Sequence, residues 1–155
     1  MPVQFVRLCK WDAWANRQVL ETLRACGGEP RNALAAFQHV LATELTWLDR
    51  MDGDATAFLP QWAEPSLERC QEWFGRSSAR LQALATKLAD GYGESAFPYK
   101  NSTGTPFVGQ VDEILTHVFM HSSQYRGEAA GFLNAAAHRV PDLDLVFWMR
   151  SGEPA

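Results

Sequence analysis

Four stretches of this chain repeat apolar side chains at steps of three and four residues, the spacing that lines one face of an α-helix. In residues 2–25 the stripe is Phe5, Leu8, Trp11, Ala15, Val19 and Leu23. In residues 32–51 it is Leu34, Phe37, Leu41, Leu45 and Leu48, widened by Val40 and Trp47. That second helix is apolar around much of its circumference, so its neighbours are expected to enclose it. The third runs from Leu67 to about residue 90 through Cys70, Trp73, Phe74, Ser77, Leu81, Leu84 and Leu88. The fourth spans Gln110 to Ala137 and carries Val111, Ile114, Leu115, Val118, Ser122, Tyr125, Ala129, Phe132, Leu133 and Ala136. Four long helices, each with a stripe to bury, predict an all-α fold, a four-helix bundle.

The segments between the stripes carry stop and start signals. Cys26-Gly27-Gly28-Glu29-Pro30 ends the first helix, because Gly accepts the left-handed geometry after a helix and Pro cannot extend one. Asp52-Gly53-Asp54 closes the second, and Gly91 and Gly93 close the third. Ser66 is the expected N-cap of the third helix, with Glu68 and Glu72 suited to its positive end. Residues 55–64 form a loop whose Phe58, Pro60 and Trp62 are expected to pack on the bundle. In residues 95–110, two short apolar runs flank Asn101-Ser102-Thr103-Gly104, which predicts a small hairpin before the last long helix. Pro98 and Pro106 make it an edge-type or irregular one. A short C-terminal helix is expected at Leu143–Met149, after Pro141-Asp142. The long connection between the second and third helices, and the hairpin, predict crossover connections. No linker divides the chain, so residues 1–155 read as one domain.

Composition excludes several classes. With 155 residues, 46% of them apolar, the chain can build a core without staples. Three cysteines, Cys9, Cys26 and Cys70, cannot all pair, and none forms a C-x-x-C, which suits a reducing compartment. Lys and Arg number 14 against 18 Asp and Glu, a net charge of -4 without a long basic run, so nucleic acid is not an expected partner. No signal region and no apolar run near membrane-spanning length occurs, so a soluble, cytoplasmic chain without a membrane partner is expected.

The chain has four histidines, His39, His117, His121 and His138. His117 and His121 stand four apart on one helix face and could share a cation, although the pair lacks the glutamate of a zincin motif. On the helical wheel His121 and Tyr125 face inward, while His117, Gln124 and Glu128 lie further round the same flank. His39, on the second helix, can meet His121 if the bundle brings the two helices together. Partly buried histidines with hydrogen-bond partners are the plainer reading of all three. Arg126 is expected to pair with a carboxylate of a neighbouring helix or subunit, and Glu44 is either that partner, a site residue or solvated. Gly127 is unfavourable within a helix, and close packing is its expected reason. The cysteines read as structural and Trp62 as core or pocket lining. No P-loop, Rossmann or nucleophile-elbow pattern occurs.

Several of these residues coincide in one pattern. Trp11-Asp12-Ala13-Trp14-Ala15-Asn16, the stretch His39-Val40-Leu41-Ala42-Thr43-Glu44 with Trp47, Leu48 and Arg50, and Tyr99-Lys100-Asn101 with Gly104 and Phe107 follow in order. His117 to Glu128, ending in Tyr125-Arg126-Gly127-Glu128, and Pro141 to Leu145 complete it. Across nearly the whole chain this resembles the DinB/YfiT-like superfamily. The resemblance implies a four-helix bundle with crossovers, often a homodimer, holding zinc or nickel on three histidines. One comes from the second helix and two from the fourth, at i and i+4. The matching positions here are His39, His121 and Tyr125, so the third imidazole is missing. His117 lies one turn before the pair, and His117, Tyr125 or Glu128 are the groups that could complete the site.

Two functions follow from the resemblance. In one, a divalent metal on His39 and His121 acts as a Lewis acid in thiol-transferase or hydrolase chemistry, with a small thiol as substrate. In the other, the metal site has decayed and the protein is a non-catalytic binding or structural bundle. No catalytic residue is singled out beyond these.

Overall fold

The computed structural model describes residues 2–155, with side chains from Gln4 onward. Four long helices form: α1 Pro2–Ala25, α2 Arg31–Met51, α3 Leu67–Ala89 and α4 Val111–Ala135. A two-stranded antiparallel sheet, β1 Ala96–Lys100 and β2 Pro106–Gln110, precedes α4, and a short α5, Leu145–Arg150, closes the chain. The apolar stripes set these helices to within two residues of their expected bounds. The first helix ends where Gly27 and Gly28 take positive φ, and the Gly28 N–H donates to Leu23 O at 2.8 Å. Ser66 caps α3 by accepting the Arg69 N–H at 3.2 Å.

The packing is crossed over rather than sequential. α2 lies against α4 and α3, α1 lies against α3 and α4, and α1 and α2 are nearly diagonal. α2 is buried along almost its whole length, as its broad apolar surface requires. One apolar cluster, around Leu23, Phe37, Leu41, Trp73 and Leu133, fills the end near the α1–α2 connection. A second, around Leu48, Leu81, Leu88, Leu115 and Phe119, fills the other end and receives Phe97 of the hairpin. α5 docks through buried Trp148 on Trp11, whose indole N–H donates to Leu143 O at 2.9 Å.

Between the two apolar clusters lies a buried polar layer. Asp12 and Asn16 enter it from α1, Glu44 from α2, Ser77 from α3, and Ser122 and Arg126 from α4. Arg126 Nη1 donates to Asp12 Oδ1 at 2.8 Å and to Asn16 Oδ1 at 2.7 Å. Asn16, Ser122 and Ser77 donate to Glu44 at 2.9, 2.9 and 2.6 Å. The expected carboxylate partner of Arg126 is therefore Asp12. Glu44 is neither solvated nor paired to Arg126; it is 0% exposed and held by three donors. Its carboxyl is pushed up to about 8, first by burial and then by nearby Asp12. A proton on Glu44 leaves the layer one anion, Asp12, for one cation, Arg126.

The hairpin pairs regularly over five positions, from Ala96 with Gln110 to Lys100 with Pro106. Each strand of a two-stranded sheet keeps an outer edge, so Pro98 and Pro106 need not break the ladder. Gly109 sets the hairpin against α4: an added Cβ would meet Ile114 Cγ1 at 2.9 Å and Tyr99 Cε1 at 3.3 Å. Gly127 does not serve close packing, since a Cβ there would meet open space. Among the described residues, no helix is long and apolar enough to cross a membrane.

Candidate functional site

α2 and α4 cross where His39 and His121 face each other, with Nε2 to Nε2 at 3.1 Å. The wheel reading holds here: His121 and Tyr125 are half-buried, while His117 and Glu128 are exposed. His39 is buried, and its Nδ1 lies 3.1 Å from the carbonyl oxygen of Gln61. A carbonyl only accepts, so His39 Nδ1 carries the proton and its Nε2 presents a lone pair. His121 therefore donates its Nε2–H to His39. This leaves His121 Nδ1 as a buried acceptor without a hydrogen-bond partner among the described residues.

The loop before α3 builds the other wall. Gln61 is fixed by three bonds: Thr43 donates to its Oε1 at 2.7 Å, and its Nε2 donates to Thr46 Oγ1 at 3.2 Å and Leu59 O at 2.8 Å. Trp62, 61% exposed, stacks flat on His39 at 4.0 Å and 12°. Trp62 is thus a lid on the imidazole rather than core filling. Tyr125 packs edge-on against His39 at 4.4 Å and tilted on His121 at 4.7 Å. Neither Gln61 nor the orienting role of Thr43 was legible in the sequence, because a backbone carbonyl carries no residue-type signal.

Both imidazoles are held neutral. Burial lowers His39, and burial, His39 and His117 together lower His121 to about 4. Burial pushes the Cys9 and Cys70 thiols up to about 12, so neither is an activated thiolate.

The histidine pair opens into a cleft of about 390 Å³ between α2, the hairpin and α4. His117 reaches its rim and contacts Trp47 at 5.9 Å and His121 at 5.8 Å between ring centres. Arg50, Tyr99, Asn101 and Phe107 line the remainder.

The donor set can be tested against a three-ligand metal centre. Two imidazoles converge, and the orientation of His39 by a backbone carbonyl suits a ligand. The third position presents the phenol of Tyr125, which has no imidazole nitrogen to offer a zinc or nickel ion. No group of three or more His, Cys, Asp or Glu side chains that could hold a metal ion forms among the described residues. Neither His117 nor Glu128 completes the pair, so a three-histidine centre does not fit these residues.

No curated protein and no solved structure matches the chain. The model of the DinB family matches residues 1–154, and on that match over essentially the whole length the chain belongs to the DinB family.

Proposed function

We propose that this DinB-family chain is a small-molecule-binding bundle. In it, His39 and His121 act as a neutral hydrogen-bonded dyad on the wall of the cleft, not as two thirds of a resident metal centre. The observation that carries the reading is the mutual closure of the dyad. His39 Nδ1 faces Gln61 O, Nε2 faces Nε2 at 3.1 Å, and Tyr125 stands where a third imidazole is needed. The cleft volume lies within the range typical of small-ligand sites.

Nitrogen-15 NMR of the histidine rings tests this reading. The expected spectrum at neutral pH has His39 protonated on Nδ1 and His121 on Nε2, and it does not change when EDTA is added. Ring signals that move on EDTA treatment would overturn the reading.

One observation favours a second reading, a divalent ion shared by His39 and His121. Two nitrogens each about 2.0–2.1 Å from one zinc stand roughly 3.0–3.4 Å apart, and the observed separation of 3.1 Å falls in that range. A small thiol or water would then complete the shell, and EDTA would release the ion.

A further inference from the structure

The second buried arginine of the fold has no counter-ion. Arg50 lies in the last turn of α2 and is 5% exposed. Its Nε–H donates to Ala57 O at 3.0 Å. Its guanidinium lies over Trp47 at 4.6 Å and Tyr99 at 5.2 Å from the ring centres. These contacts use the faces and one edge of the group. Its two terminal nitrogens have no hydrogen-bond partner, and no carboxylate lies within ion-pair distance of it, among the described residues. Arg126, 2% exposed, differs: its Nη1 pairs with Asp12, and its Nη2 is closed off from any opening, without a hydrogen-bond partner among the described residues. The Arg50 side chain is buried, but its two terminal nitrogens are not sealed off: they open on the cleft, where a ligand can reach them.

The free edge of Arg50 lines the cleft beside the histidine dyad. Trp47, Tyr99 and Phe107 supply apolar walls there, and Asn101 supplies an uncharged amide. Tyr99 and Phe107 are stacked across the hairpin at 5.6 Å, so the two strands share that wall. Asn101 is fixed by its Oδ1, which accepts the N–H groups of Thr103 and Thr105 at 3.1 and 2.9 Å. One planar guanidinium with two free parallel donors matches one carboxylate. A phosphate dianion would need more positive charge than this single cation.

We propose that Arg50 anchors the carboxylate of a small organic acid, whose apolar body lies against Trp47, Tyr99 and Phe107 and whose far end reaches His117 and His121. This rests on the reading of the cleft as a small-molecule site and names the class of molecule it takes.

Benzoate is the probe, with benzamide as its neutral counterpart and inorganic phosphate as a second anion. Binding is followed by NMR on the Trp47 indole and Arg50 Nε–H signals, with and without EDTA. Benzoate is expected to bind in the millimolar range and shift both signals, and benzamide to bind about tenfold more weakly or not at all. Arg50→Met should weaken benzoate by about tenfold or more. Asn101→Asp keeps the Oδ1 acceptor and the hairpin turn but adds a negative charge, so it should weaken benzoate several-fold even if Arg50→Met fails to fold. Three results would overturn the proposal: no benzoate binding to the wild type, benzoate binding unchanged in the variants, or a preference for phosphate. Benzoate binding that depends on Arg50 but is abolished by EDTA would instead sink the metal-free dyad and leave the anchor standing.

Discussion

At the scale of single residues, protonation sets the behaviour of the site. His121 is lowered to about 4, against an unfolded value near 6.5. At this ring the unfolded chain therefore binds more protons between those values, and the ring's contribution lowers native stability as pH falls from about 6.5 to about 4, against the opposite contribution of Glu44 above about 4.5. Replacing His121 with Gln should remove part of that loss, by about 2 kcal/mol at pH 4, measured by urea unfolding at pH 4 and pH 7. An unchanged pH slope would count against neutral burial of the ring. Gly127 gives a second residue-level prediction. It is exposed, its added Cβ meets nothing, and Gly lowers helix stability, so Gly127→Ala should stabilise the monomer by up to about 1 kcal/mol. The sequence marks this glycine as a cost but cannot show that the space beside it is empty. Similarly, the periodicity of α4 places His121 and Tyr125 inward. It gives no sign of Gln61, whose contribution comes from a backbone carbonyl brought in from a loop.

At the scale of elements, the helices are the most legible part of the chain. Stripes of Leu, Phe, Val and Trp at helical spacing, closed by glycines, fix α1 and α3 almost to the residue. The loop before α3 was less legible, because its order comes from side chains of α2. Gln38 donates to Ala63 O at 3.1 Å, Thr46 accepts the Leu59 N–H at 3.0 Å, and Arg50 donates to Ala57 O at 3.0 Å. Such bonds join polar residues on an otherwise apolar helix, and period alone does not reveal their targets. The hairpin depends on Gly109. Substituting Ala forces its Cβ into Ile114 and Tyr99, so Gly109→Ala should cost about 1–3 kcal/mol and displace Tyr99 from Arg50. Thermal unfolding, with Trp47 fluorescence reporting on the cleft, checks both effects.

At the scale of the whole molecule, the polar layer holds all four long helices in one arrangement. Three of its buried residues, Asn16, Glu44 and Arg126, stand at specified positions of the motifs that resemble the family pattern, and Asp12 stands between two of them. The sequence offers Glu44 as a partner for Arg126, but only the crossed packing shows that α1 supplies that partner and that Glu44 answers to three helices. Burial raises Glu44, so the unfolded chain gives up this proton more readily, and the contribution of Glu44 to stability is lost as pH rises from about 4.5 to about 8. Glu44→Gln should abolish the fall in stability between pH 6.5 and 8 at a cost of about 1 kcal/mol near pH 6. Arg126→Met should cost about 3–5 kcal/mol, because it leaves Asp12 buried and unpaired. In the site these helices position, two imidazoles close on each other, and the third place holds Tyr125. Zinc titration of the untagged wild type beside Tyr125→His tests this arrangement most directly. Weak, non-stoichiometric binding by the wild type and one tight site, at least about 100-fold stronger, in the variant are expected. Stoichiometric tight zinc in the wild type, or no gain in the variant, would contradict it.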